Sequence, residues 1–173
     1  MQIVLDATSR VAAVHADGQD VAAAYPGCVC VTLPDAPVEI GQELAVDLET
    51  VRAAARAAID AEAEARRQLV LTPGAGQMAA YQRKEAQARA YVADPVPEPA
   101  DYPALVAEVG ATASTLSTVA QAVVARADIW HAYGDAIEAA RLGAKKAVAG
   151  AADVAAVVAA ADGVVWPEAG GAV

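Results

Sequence analysis

The sequence predicts an α+β chain, mainly α: a small N-terminal β-meander followed by an alanine-rich helical hairpin or bundle, completed by oligomerisation. Three observations predict it. Short runs of strand formers alternate with turn residues over residues 1–36, and apolar residues recur in steps of three and four over residues 44–69. The stretch 111–161 is built almost wholly from alanine, valine and small polar residues, with Trp130 and Tyr133 as its large aromatics. Alanine removes little area from water compared with leucine or phenylalanine, so such helices must pack closely against other helices.

Residues 3–5, 11–15 and 28–33 are rich in valine and other strand formers. Asp6 to Ser9 makes the first connection, Asp17-Gly18 begins the second, and Tyr25-Pro26-Gly27 closes it. A meander of this size is not secure alone and needs a partner surface. Pro34, Pro37 and Gly41 mark a linker over residues 37–45.

A first helix is expected over residues 46–69, with Leu44, Leu48, Val51, Ala55, Ala58, Ala65 and Leu69 on one stripe and Glu62 as its polar interruption. That stripe is narrow and half alanine, like a coiled-coil seam. Asp47 and Glu49 near its start and Arg66 and Arg67 near its end complement the helix dipole.

Thr72-Pro73-Gly74-Ala75-Gly76 breaks that helix. A second is expected over residues 77–93, with Met78, Tyr81, Ala88 and Tyr91 or Val92 facing inward. Asp94-Pro95 ends it, and the prolines from Pro95 to Pro103 exclude regular structure before a short helical turn at residues 105–109. Thr112, Ser114 and Thr115 are candidate caps for a long helix over residues 116–149, roughly 50 Å at 1.5 Å per residue. Leu116, Val119, Val123, Ala127, Trp130, Ile137 and Ala144 share one face, whereas Gly134, Gly143 and Gly150 argue against an unbroken helix. Asp153 caps a last helix to residue 161, and residues 168–173 form a frayed tail. The expected organisation is a docking β region (1–36), a linker (37–45), a helical region (46–167) and that tail.

A net charge of −10 argues against nucleic-acid binding, which needs a clustered surplus of lysine and arginine. The start MQIVLDATSR lacks a basic segment followed by a long apolar run and reads as no signal peptide. Residues 147–165 have the length of a membrane span, but Asp153 and Asp162 interrupt them, so no membrane partner is expected. Cys28 and Cys30 share one face of a strand and read as small buried thiols.

Candidate chemistry is sparse. Leu69 to Ala79, LVLTPGAGQMA, meets the glycine spacing of a dinucleotide fingerprint through Gly74 and Gly76, but a charged helix precedes it where a strand is required. His15, near Asp17 and Asp20, and His131, beside Trp130, have no serine or cysteine nucleophile at a recognisable spacing. Glu39, Glu43, Asp47 and Glu49 lack the alternating ligand order of a calcium loop. The expectation is therefore no catalytic residue, no cofactor and no metal, with Leu48, Val51, Tyr81, Tyr91, Trp130 and Ile137 as packing or interface residues.

Two stretches carry a resemblance. VHADGQDVAAAYPGCVCVTLPD, residues 14–35, resembles the start of small proteins encoded beside tail-fibre genes in tailed bacteriophages. GQMAAYQRKEAQARAYVADPVPEPADYPAL, residues 76–105, with DIWHAYGDAIEAARLGAKKAV, residues 128–148, is similar to phage tail-associated proteins. Those carry a tyrosine-lysine-glutamate-alanine helix, a proline loop and an alanine-rich helix around a tryptophan. The resemblance implies a non-enzymatic structural component of a phage tail, attached to or connecting tail fibres, located in the virion tail and made in the host cytoplasm. Its implied partners are other tail or fibre proteins and further copies of itself, with a trimer expected from fibre symmetry. The alternative is a tail-fibre assembly chaperone not retained in the virion, although the aspartate-tryptophan-threonine motif common in such chaperones is absent.

Overall fold

The computed structural model describes residues 1–16, 24–33, 37–70 and 74–169. Strands β1 (Gln2–Leu5), β2 (Val11–His15) and β3 (Val29–Thr32) precede helices α1 (Leu48–Gln68), α2 (Ala75–Ala93), α3 (Pro103–Val106), α4 (Leu116–Gly150) and α5 (Val154–Asp162). The fold class is α+β, mainly α, as the strand and helix patterns predict. The described residues form two compact units, one of Met1–Ala65 with Ala136–Pro167 and one built on Arg66–Asp135. These units do not follow the contiguous division of the chain into residues 1–36, 37–45 and 46–167.

In the first unit, the sheet is antiparallel with order β2-β1-β3. This corrects the expected meander, which would place β2 in the centre. β1 takes the centre because its Ile3-Val4-Leu5 run is apolar on both faces and fully buried. Ile3 and Leu5 lie opposite Val31 and Val29 and join the main core, while Val4 lies opposite Ala13 and Cys30 in a smaller cluster on the other face. A register shift between Val4 and Leu5 leaves Ala12 as an extra residue in β2, so that Val11 reaches the main core while Ala13 stays with Val4. The Asp17-Gly18 turn and Pro34 lie outside the described residues.

Residues 37–45 are more than a linker. The Gly41 amide donates to the Val11 carbonyl at 2.7 Å, Val11 to Gln42 at 2.9 Å, and Leu44 to Ser9 at 2.9 Å. Val38, Leu44 and Val46 then pack on the core that the sheet shares with α1, the end of α4 and α5. Asp47 starts α1 by accepting the Thr50 amide at 3.2 Å.

The buried row of α1 is Val51, Ala55, Ile59 and Ala63, in steps of four. Ala58, Ala65 and Leu69 of the expected seam are exposed. With alanine on several sides, neighbouring rows differ little in area. Ile59, a large residue in the four-step row, tips the choice towards a ridge of that type over a heptad seam. Across this unit, Asp60 on α1 accepts from Arg141 Nη1 and Lys145 Nζ of α4, both at 2.6 Å, and Arg52 Nη2 donates to the Ala151 carbonyl at 2.5 Å. The Lys145 and Arg141 hydrogen bonds hold the Asp60 carboxyl below its ordinary range. Asp153 caps α5 by accepting the Ala156 amide at 2.8 Å.

The second unit has a small core of Ala88, Tyr102, Leu105, Val119 and Ala120. Met78 and Tyr91 on α2 are half-buried, but Tyr81 and Val92 are exposed, so Ala88 is the residue that α2 buries fully. The helix has little amphipathic bias, and its long polar side chains make the contacts instead. Lys84 pairs with Glu108, Gln87 Oε1 accepts the Ala104 amide at 2.8 Å, and Arg89 Nη2 donates to Asp128 at 2.6 Å.

The proline segment also departs from expectation. A 3-10 turn occupies Pro99–Asp101 and α3 begins at Pro103, because proline at a first helical position loses no hydrogen bond that the helix would have made. The expected turn at residues 105–109 is thus displaced to Pro103–Val106. Asp94 organises the segment, its carboxylate accepting the Val96 amide at 2.9 Å and the Tyr102 hydroxyl at 2.8 Å. The Thr72-Pro73 part of the break before α2 lies outside the described residues; Gly74 follows it with φ of 128°, a conformation that suits glycine.

Candidate assembly interface

α4 begins where Thr115 and Thr118 close a reciprocal cap: the Thr118 amide donates to Thr115 Oγ1 and the Thr115 amide to Thr118 Oγ1, each at 3.2 Å. From there the helix runs unbroken through Gly134 and Gly143, contrary to what those glycines suggest. No atom lies within 4 Å of a Cβ placed at either glycine, so these positions keep the surface low without being required for packing.

In the second unit α4 buries Val119 and Tyr133, and in the first unit it buries Ile137, Ala144 and Val148. Its outer face is unusual. In the second unit Ala125, Ile129 and Ala132 are exposed in steps of four and three, and in the first unit Ala136, Ala139 and Gly143 are exposed in steps of three and four. Leu142 beside them is 54% exposed. A row of small side chains at that spacing allows a second helix to approach at the short end of the usual interaxial range, about 8 Å.

The residues singled out from the sequence fall into two groups. Val51 and Ile137 are fully buried, and Leu48 packs against the main core. Tyr91 is half-buried with its ring edge-on to Tyr102, centroids 5.2 Å apart. Tyr81 stands at the surface near Lys84, and Trp130 is half-buried with its ring against His131 at 4.9 Å. Tyr81 and Trp130 therefore retain surface to offer, while Val51 and Ile137 are spent within the chain. The sequence reading missed the outer row of α4. Its signal, the 125-129-132-136-139-143 spacing, is present, but the inward row has the same period and the larger residues.

The histidines make local contacts. His15 Nε2 lies 2.9 Å from the Tyr25 hydroxyl, and His131 Nε2 lies 3.0 Å from Glu85 Oε1. Burial pushes the Glu85 carboxyl up, but hydrogen bonds from Arg89 and His131 outweigh it and leave it below its ordinary range. Cys28 and Cys30 form no disulfide, and burial raises the Cys28 pKa above its ordinary value. Gly74 precedes α2 and Gly76 lies in its first turn, with open space around both. Glu43 faces Arg10 at 3.7 Å, Glu49 pairs with Arg52, and Asp47 caps α1. Among the described residues no group of three acidic, histidine or cysteine side chains is gathered as a metal site, and no helix is long and apolar enough to cross a membrane. Compared with known proteins, the chain matches no family model, no curated protein and no solved structure.

Proposed function

We propose that the chain is a non-enzymatic structural component of a phage tail, attached to or connecting tail fibres, and that it works by helix-to-helix assembly. The observation that carries this reading is the exposed row of small apolar residues on α4. Leaving Ile129 and Leu142 in water forgoes stabilisation that a neighbouring helix would recover, and a closed cyclic assembly lets each copy cover the next. The expected state is a trimer, the symmetry of fibres. In this role the chain positions and bears load, and the sheet docks on a tail or fibre protein.

Two measurements test it. Light scattering coupled to gel filtration is expected to give a trimer mass, and Ala132→Glu with Ala139→Glu, both at exposed positions, is expected to return it to monomer with unchanged helix content. A native monomer would refute the assembly role. Mass spectrometry of purified particles is expected to find the chain at stoichiometric levels; its absence from particles would remove the virion role and favour a fibre-assembly chaperone.

A further inference from the structure

In the second unit, the chain between α2 and the 3-10 turn reads Asp94-Pro95-Val96-Pro97-Glu98-Pro99, and the assembly role leaves it unused. Both of its ends are pinned. At the start, the Val96 amide donates to Asp94 Oδ1 at 2.9 Å and the Tyr102 hydroxyl donates to Asp94 Oδ2 at 2.8 Å. At the end, the Glu98 and Pro99 carbonyls accept the Asp101 and Tyr102 amides at 3.0 and 3.2 Å. The chain bends at Pro95-Val96 and runs extended through Pro97-Glu98. Val96 stands on this knuckle 74% exposed, with Pro95 and Pro99 exposed on either side.

Hydrogen bonding along the knuckle is one-sided. Pro95, Pro97 and Pro99 have no N–H, and that of Val96 is taken by Asp94, so the Glu98 amide is the one backbone donor left among them. Among the described residues the carbonyls of Pro95, Val96 and Pro97 accept no hydrogen bond. A strand cannot pair with such a segment, because a ladder needs N–H groups that proline lacks. A purely aliphatic surface would cover Val96 and the proline rings but take three carbonyls out of water unpaired. A groove lined by tryptophan and tyrosine meets both needs: flat rings cover the apolar groups, and indole N–H or phenol O–H groups donate to the carbonyls. The pinned, proline-fixed backbone also has little freedom left to lose on docking.

We propose that residues 95–99 are a recognition segment read by an aromatic-lined groove on a partner protein. The inference stands apart from the tail assignment, since it needs only such a groove. The whole isotope-labelled chain is titrated with N-acetyl-tryptophanamide as the probe, and separately with N-acetyl-leucinamide. The readout is the ring-current shift of the Val96 methyl signals, with those of Val165, 87% exposed in the first unit, as the measure of unspecific contact. The tryptophan probe is expected to shift Val96 several-fold more than Val165, and the leucine probe is expected to shift neither. Pro95→Ala combined with Pro97→Ala restores two N–H groups and loosens the backbone, and is expected to bring the Val96 shift down to that of Val165. The comparison of the two valines in the native chain does not depend on how that variant folds. Equal shifts at Val96 and Val165, an equal response to the leucine probe, or a Val96 shift unchanged in the folded variant would overturn the proposal.

Discussion

Replacing Leu105 by alanine tests how the second unit is held together. Leu105 is fully buried among Ala88, Tyr102, Val119 and Ala120. The truncation removes about three carbon groups at roughly 0.8 kcal/mol each, or about 2.4 kcal/mol of transfer free energy. The vacated volume adds to this, because the two alanines cannot extend into it and Tyr102 is tethered through its hydroxyl to Asp94. The expected loss is therefore about 3–4 kcal/mol, within the range for buried leucine truncations. Hydrogen exchange read by mass spectrometry, peptide by peptide, should show α2 and α3 losing protection while β1 and β3 keep theirs. Leu105→Met, which nearly conserves volume, should cost less than about 1.5 kcal/mol. A loss below about 1 kcal/mol for Leu105→Ala would refute the view that this side chain fills the core.

Three further outcomes follow from local geometry. Asp153→Ala removes the acceptor for the Ala156 amide and should cost about 1 kcal/mol in urea unfolding, with Asp153→Asn largely restoring it. Gly163→Ala should destabilise by about 1–3 kcal/mol, because its Cβ would lie 2.9 Å from the Ala159 carbonyl oxygen at the end of α5; an unchanged melting temperature would show that this end relaxes freely. The Asp60 carboxyl is held below its ordinary value of 3.8, so its stabilising effect is complete above that pH and fades as pH falls through the lowered folded value. Asp60→Asn should therefore cost stability at neutral pH, and the difference from the native chain should shrink in melts taken below about pH 4.

Much of the local structure was legible in the sequence. The strands at residues 11–15 and around residues 3–5, the extent of α2 and α4, and the Asp153 cap all rest on contacts within a few residues, where propensity and capping chemistry act. The candidate interface was legible only in part. Trp130 and Tyr81 were visible as large aromatics in a chain poor in them, but the outer row of α4 was hidden by the inner row of equal period.

What the sequence by itself determined is the fold class of the chain and the approximate extent of its long helices, because those depend on neighbours along the backbone, whereas the bounds around Pro99 and Pro103 were displaced. Only the tertiary structure decided that β1 sits at the centre of the sheet, that residues 37–45 bond to Ser9 and Val11, and that Asp60 meets Arg141 and Lys145. It also decided which row of α1 is buried. The physical reason is the alanine itself: its small side chain makes several helix faces nearly equal in buried area, so the few large residues and the long-range charges choose among them.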